Sequence, residues 1–226
     1  MTLGASDGRL VRIAVFFDGG YLDEVSRYYK FGHPRRARLS VQGIQAFVRR
    51  KVAEFEKVEE HFCQIVESHY FRGRFPAAEA AAAGKLEDQA AFDDILIRAG
   101  IVQHHLPIRI GREGRPQEVG TELWLSLEAF DLAVHKPFEV CALICCDSDY
   151  VPLARKLSGL GIRTMVLAWD FQYEFTDPQG NRRRKETRTS QALIEACTYP
   201  VMMAPLLDDR SKKDDRLLEG LFVDSA

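Results

Sequence analysis

The sequence lacks any apolar run long enough to cross a membrane, and its first seven residues are small and polar rather than a basic stretch leading into an apolar one. A chain with neither feature is expected to be cytoplasmic. It also lacks a surplus of charge. The 31 Lys and Arg nearly balance the 33 Asp and Glu, for a net charge of −2, so any basic surface that meets nucleic acid has to be local. Paired cysteine spacing is missing too. The five cysteines are odd in number, show no CxxC pair, and three of them (Cys141, Cys145, Cys146) share one apolar run. This argues against a disulfide framework and for reduced, mostly buried thiols in a cytoplasmic protein. The six histidines show no metal-ligand spacing. His104 and His105 are adjacent on a predicted strand, where only one can face inward, so they are not expected to share a metal. No internal repeat is long enough to mark a solenoid. What remains is an ordinary composition, 46% hydrophobic and 28% charged over 226 residues, enough for one well-cored domain.

The organising stretch is Glu139 to Tyr150. Seven apolar residues, Val140 to Cys146, read as a strand buried on both faces, as in the middle of a parallel sheet. It ends in Asp147-Ser148-Asp149. Tyr150, Val151, Leu153, Ala154, Leu157 and Leu160 then follow a helical period that stops at Gly161. A second copy of this arrangement lies near the start, where Ile13 to Phe17 lead into Asp18-Gly19-Gly20.

Taken in order, the chain alternates. A strand over Val11–Phe17 is followed by a short helix over Tyr21–Tyr29 and a basic loop from His33 to Arg38. A helix follows over Val41–Glu60, with Ile44, Phe47, Val48, Val52 and Phe55 at helical intervals. A strand over Phe62–Phe71 comes next. Ala77–Ala83 reads as a helix or a loose insertion, and Leu86–Ala99 as an amphipathic helix with Phe92, Ile95, Leu96 and Ala99 on one side. A strand over Ile101–Ile108 leads to a Gly/Arg-rich loop. The helix over Thr121–His135 is expected to bury Leu123, Trp124, Leu127, Phe130 and Val134. After the central strand and its helix come a strand over Arg163–Trp169, a polar hairpin or loop excursion over 170–188, a helix over Ser190–Cys197 and a strand over Tyr199–Met203. The alternation predicts a three-layer α/β/α sandwich with a mostly parallel central sheet. Residues 1–206 form the domain and 207–226 a charged tail. The apolar cluster of that tail, Leu217-Leu218 with Leu221-Phe222-Val223, could dock on the domain, on a partner such as a second copy in a homodimer, or on nothing.

The chemistry rests on carboxylates. Asp18, Asp147 and Asp149 all fall at predicted carboxyl ends of strands, the edge at which open α/β sheets bind ligands. If the first and central strands are neighbours, these ends lie about 5 Å apart. Acids converging there call for a hard divalent cation, Mg²⁺ or Mn²⁺, and such an ion can activate water and steady the charge on a scissile phosphate.

Two segments in combination resemble an NYN domain, of the LabA-like branch of the PIN-like metal-dependent ribonucleases. Val15 to Leu22, an apolar run into Asp18-Gly19-Gly20, is similar to that family's opening strand. Leu143 to Leu153, with Asp147-Ser148-Asp149-Tyr150, resembles its most recognisable segment, and Ser190 to Cys197 its closing helix. The resemblance spans roughly Arg12 to Met203. It implies a PIN-like sandwich whose clustered acids bind Mg²⁺ or Mn²⁺ and cut RNA, expected to be single-stranded. Asp18, Asp147 and Asp149 match the family's acids. Glu122, in Val119-Gly120-Thr121-Glu122, fills an aspartate position with one more methylene, which shifts its charge by roughly an ångström. Tyr21 stands where many members have asparagine, and the family's lysine before the glycine is absent. Those departures also fit a catalytically weak or inactive RNA-binding adaptor on the same fold. A haloacid dehalogenase-type phosphatase needs Asp-x-Asp on its first strand, where this chain has Asp18-Gly19-Gly20.

Each acid has a structural reading beside the functional one. Asp149 or Ser148 can cap the helix at Tyr150, and Asp18 can be a turn residue. Glu122 sits in a first helical turn, where acids are favoured in any case. Glu128 lies about 120° around the helix from Glu122, so the two are not expected to hold one metal. For RNA, the local basic patches are Arg35, Arg36 and Arg38; Arg109, Arg112 and Arg115; and Arg182, Arg183, Arg184, Lys185 and Arg188. Tyr21, Tyr150 or Tyr173 could supply base stacking.

Overall fold

The computed structural model describes residues 8–110, 116–176, 180–209 and 215–224. The chain begins with β1 (Val11–Asp18), α1 (Gly19–Arg27), a π-helical turn (Tyr28–Gly32), β2 (Ala37–Leu39) and α2 (Val41–Glu56). It continues through β3 (Cys63–Arg74), α3 (Ala77–Ala82), α4 (Leu86–Arg98), β4 (Val102–Pro107), β5 (Arg109–Ile110), β6 (Pro116–Gln117) and α5 (Thr121–His135). Then come β7 (Val140–Ile144), α6 (Val151–Gly159), β8 (Arg163–Ala168), β9 (Phe171–Thr176), β10 (Arg182–Thr187) and α7 (Gln191–Ala196). The last elements are β11 (Tyr199–Met202), α8 (Met203–Asp208), α9 (Arg216–Glu219) and β12 (Phe222–Asp224).

Six strands form the central sheet in the order β11-β8-β7-β1-β3-β4, and every neighbouring pair is parallel. The expected three-layer sandwich is therefore present. Its central strands alternate sides as the pleat requires. Ile13, Val15 and Phe17 of β1 join Val140, Ala142 and Ile144 of β7 in one core, against Ile44, Phe47, Val48 and Val52 of α2. Ala14 and Phe16 join Cys141 and Leu143 in the other, against Leu125 and Ala129 of α5 and Leu153, Ala154 and Leu157 of α6. All five residues of β7 are buried, as expected of a strand covered on both faces.

Local chemistry sets the element ends. The Ser40 hydroxyl accepts from the Gly43 amide at 3.0 Å and starts α2. The helix stops at Lys57, which takes a left-handed conformation (φ 55°), so it ends sooner than the sequence pattern predicts. Gly43 is needed for packing: a Cβ there would meet the Gly220 carbonyl oxygen at 1.9 Å, and the C-terminal segment crosses α2 at that point.

One expectation changes. In α5 the buried positions are Thr121, Leu125, Ala129 and Leu132, whereas Leu123, Leu127, Phe130 and Val134 are exposed and Trp124 is half-buried. The helix is apolar on more than one side, and the stripe with small residues (Thr121, Ala129) is the one that can approach the sheet closely. The C-terminal apolar cluster docks on the domain, one of the outcomes the sequence leaves open. Leu218 and Leu221 are buried in the core that includes Phe47 and Val48, and β12 pairs antiparallel with β2. That cluster is used within the chain rather than offered to a partner. The polar excursion at 170–188 contains a hairpin, with β9 antiparallel to β10. No helix among the described residues is long and apolar enough to cross a membrane.

Candidate functional site

The chain winds outward from β1 in both directions. It passes first to β3 and β4, then returns along α5 to β7 on the other side of β1 and continues to β8 and β11. The strand order thus reverses between β1 and β7, and the crevice at their carboxyl ends is the place where a parallel sheet leaves room for a ligand. Phe17 is paired with Ile144, so Asp18 closes β1 directly above that pair, and Asp147 follows β7 after Cys145 and Cys146. α5 begins on the same side of the sheet and brings Glu122 with it in its first turn.

Asp18 is buried, with 8% of its surface exposed. Its Oδ1 accepts from the Tyr21 amide at 3.1 Å, which caps α1, and its Oδ2 accepts from the Tyr150 hydroxyl at 2.8 Å. Gly19 follows because nothing larger fits: a Cβ there would lie 2.5 Å from the Tyr70 ring and 2.8 Å from the Phe71 carbonyl oxygen. Burial pushes the Asp18 carboxyl above its ordinary value of 3.8. The two hydrogen bonds oppose that shift, while the charges of Glu122 and Glu118 add to it.

Asp147 and Asp149 have a different setting. Both are exposed. A 3₁₀ turn over Ser148–Tyr150 joins β7 to α6, and neither it nor α6 has a side-chain cap, so capping is not the role of Asp149 or Ser148. The charge of Asp147 acts on the neighbouring Cys146 thiol, which burial first and Asp147 next push upward. The Cys145 thiol is likewise raised well above its ordinary value by burial and by Asp18. Both thiols are held protonated at neutral pH, and the neighbouring carboxylates supply hard oxygen donors at this edge.

One further acid belongs here. Glu118 Oε1 accepts from the Thr121 hydroxyl at 3.1 Å and from the Gly73 amide, and its charge acts on Asp18. Sequence reasoning passes over it because it precedes the Val119-Gly120 turn and belongs to no periodic segment. An additional acid three residues before a helix start is the available signal. Among the described residues, no three of Asp18, Glu118, Glu122, Asp147 and Asp149 bring one oxygen each within 4.8 Å of one another.

The expected RNA contacts are rearranged. Tyr21 and Tyr150 are buried and cannot stack on a base. The Tyr21 hydroxyl instead accepts from the Trp169 amide at 2.9 Å, tying α1 to the end of β8. Arg35 is held by Glu219 at 2.8 Å and lies over the Phe222 ring at 4.4 Å, so it fastens the C-terminal segment rather than a phosphate. Arg36 donates to the Phe31 carbonyl at 2.8 Å. Arg112 lies outside the described residues. The β9–β10 hairpin stands over α1, where Lys185 meets Glu24 at 2.6 Å and the Thr187 hydroxyl donates to the same carboxylate at 3.2 Å. Arg182, Arg183 and Arg184 on its outer strand are exposed, and Arg184 also reaches Gln172.

A crevice with buried and exposed carboxylates, flanked by an arginine hairpin, is suited to a hard cation and a phosphate chain. An open cleft of about 980 Å³ between α2 and β3, lined by Gln45, Arg49, Gln64 and Ser68, includes none of these acids. No curated protein and no solved structure was found to match the chain. The family model of the NYN domain matches residues 12–204, which takes in both acid-bearing strand ends, α5 and the hairpin. The chain belongs to the NYN domain family, a branch of the PIN-like nucleases.

Proposed function

We propose that this chain is a metal-dependent endoribonuclease that hydrolyses the phosphodiesters of single-stranded RNA, with Asp18, Glu122, Asp147 and Asp149 as the residues that hold Mg²⁺ or Mn²⁺. The observation that carries the reading is the parallel pairing of β1 with β7, which puts Asp18 at the end of one strand and Asp147 in the loop three residues past the end of its neighbour, at the switch point of the sheet. The donor chemistry agrees. The oxygens are hard, and burial with the charges of Glu122 and Glu118 raises the carboxyl of Asp18, a stress that a bound dication would relieve. Bound there, such an ion supplies a water of lowered pKa and screens the charge on the scissile phosphate.

The chain's own residues do the rest. Tyr150 and the Tyr21 amide hold the Asp18 carboxylate in one orientation. Glu118, locked to Gly73 and Thr121, adds to the negative field from the loop before α5. The hairpin offers Arg182, Arg183 and Arg184 to the phosphates flanking the cut.

The test is cleavage of a mixed-sequence single-stranded RNA in Mn²⁺, Mg²⁺ or EDTA, for the unmodified chain and for Asp147→Asn. Cutting that requires metal and disappears in the variant supports the enzyme. A second reading, an RNA-binding adaptor, is favoured by two observations: both oxygens of Asp18 already have partners, and no three of Asp18, Glu118, Glu122, Asp147 and Asp149 converge within 4.8 Å among the described residues. A folded chain that cuts nothing and binds RNA equally well in EDTA would select the adaptor.

A further inference from the structure

β3 and β4 carry histidines that the sequence separates by 35 positions. His69 is paired in register with Val102 and Phe71 with His104, so the two histidines sit diagonally on one face of neighbouring strands. His69 Nδ1 and His104 Nε2 are 2.9 Å apart. α5 lies across that face and brings Glu128 to the pair. One ligand atom each from His69, His104 and Glu128 all lie within 4.8 Å of one another, the one such set among the described residues. The rings are held from behind. His104 stacks on Phe71 at 4.2 Å and meets the edge of Trp124 at 5.2 Å.

The other nitrogen of His69 is also committed. Nε2 lies 3.0 Å from Glu67 Oε2, and Glu67 is itself anchored by Lys136 at 2.6 Å. An ionised carboxylate only accepts, so Nε2 carries the proton and Nδ1 keeps its lone pair toward His104 and Glu128. A carboxylate behind a histidine whose far nitrogen faces a second histidine and an acid is the arrangement that orients metal-bound imidazoles. Buried His69 and half-buried His104 and Glu128 leave the set closed on the sheet side and reachable from solvent.

We propose that His69, His104 and Glu128 form a second metal site, separate from the acids at the carboxyl edge, that takes a borderline-soft dication of the zinc class with a water as fourth ligand. Two imidazole nitrogens and one carboxylate suit zinc far better than magnesium, which prefers oxygen. Two nitrogens on a tetrahedral zinc stand about 3.3 Å apart, so the present pair opens by less than about half an ångström to admit it. The ion would clamp α5 to β3 and β4. Because α5 also carries Glu122 in its first turn, the clamp would set the position of that acid.

Cobalt titration of the 226-residue chain tests this, in excess Mg²⁺ to fill oxygen-only sites and in an Asp147→Asn background to silence the edge. The expected result is one equivalent of Co²⁺ with visible bands, displaced stoichiometrically by Zn²⁺. His104→Gln should abolish it, and Glu67→Gln should weaken Zn²⁺ binding by about tenfold through His69 alone. If His104→Gln does not fold, Glu128→Gln, at a half-buried helix position, serves in its place and should weaken binding at least as much as Glu67→Gln. Absence of tight cobalt or zinc binding by the parent chain would overturn the site. So would unchanged zinc affinity in folded His104→Gln or Glu128→Gln.

Discussion

Asp18 ends β1 and Asp147 lies three residues beyond the end of the adjacent β7, and their surroundings are opposite. Asp18 is buried and has a hydrogen-bond donor on each oxygen, whereas Asp147 is exposed and caps nothing. The first carboxylate is therefore part of the fold: it starts α1 and gives the buried Tyr150 hydroxyl its acceptor. The second is exposed in the loop after β7, where it meets the half-buried thiol of Cys146. Two acids of equal standing in a strand-end motif thus divide into one whose loss mixes structure with chemistry and one whose loss isolates chemistry.

The sharpest way to break that comparison is through activity. If both acids hold the ion, Asp18→Asn and Asp147→Asn each lower metal-dependent RNA cleavage by at least about 100-fold, since even outer-shell changes at metal sites cost roughly 10–100-fold. A variant that retains most of the rate removes that acid from the ligand set. Single-turnover assays with saturating Mn²⁺ would separate weakened metal binding from lost chemistry.

Stability should then separate what activity does not. Asp18→Ala removes a helix cap, worth about 1 kcal/mol, and strands the Tyr150 hydroxyl, at about 1–3 kcal/mol, with partial relief from losing a buried charge. The net is a loss of about 2 kcal/mol. Asp147→Ala should stay within about 0.5 kcal/mol, as exposed positions do. Asp18→Asn is the informative intermediate. Its side-chain oxygen still accepts from the Tyr21 amide and the charge facing Glu118 and Glu122 is gone, but its NH2 now faces the Tyr150 hydroxyl, so its stability in EDTA should lie between that of Asp18→Ala and about 1 kcal/mol above the parent chain. Urea unfolding of the three variants at pH 7 measures this. A large destabilisation by Asp18→Asn would mean that the ionised form is needed for folding.

The pH dependence follows from the same burial. The native carboxyl of Asp18 is raised above 3.8, so between that value and its native pKa the folded state binds the extra proton. Stability from this group is present at the acid end of the window and is lost as pH rises through the native pKa. Other acids slope the other way. Glu139 is lowered by the hydrogen bonds of Arg12 against its own desolvation, so the readout is the difference between parent and Asp18→Asn. In EDTA that difference should grow from about pH 4 upward in favour of Asn, and Mg²⁺ should reverse it. No pH dependence in the difference would place the Asp18 pKa at its ordinary value.

Much of the fold is legible in the sequence, and the part that is not has a physical cause. Alternating strands and helices identify the sandwich, and Val140 to Ile144 are buried on both faces as a two-sided apolar run requires. The pairing of β1 with β7 enters only as a condition, because strand order depends on which faces pack rather than on any local pattern. Glu118 is missed because its role comes from the Gly73 amide, 45 positions away. His69 and His104 escape for the same reason: ligand spacing is a rule for one helix or one loop, and these two meet across strands. The exposed side of α5 is misassigned because Leu125 and Leu127 are equally apolar, and only packing against the sheet decides between them.

The smallest expected effect concerns the hairpin, which extends the comparison from metal ligands to substrate. Lys185 and Thr187 face Glu24 and anchor the hairpin, while Arg182 and Arg184 alternate with them on the other side of β10. Replacing Arg182 and Arg184 by Gln should leave stability unchanged and weaken RNA binding by the same factor for every sequence, because phosphate contacts carry no base information. The slope of log affinity against log salt should fall by about 1 for each phosphate that is no longer neutralised. Lys185→Gln should instead loosen the hairpin from α1 and show as local proteolysis in β9–β10. An unchanged salt slope in the double arginine variant would move the RNA path away from the hairpin, and the role of Lys185 would then be confined to holding β9–β10 on α1.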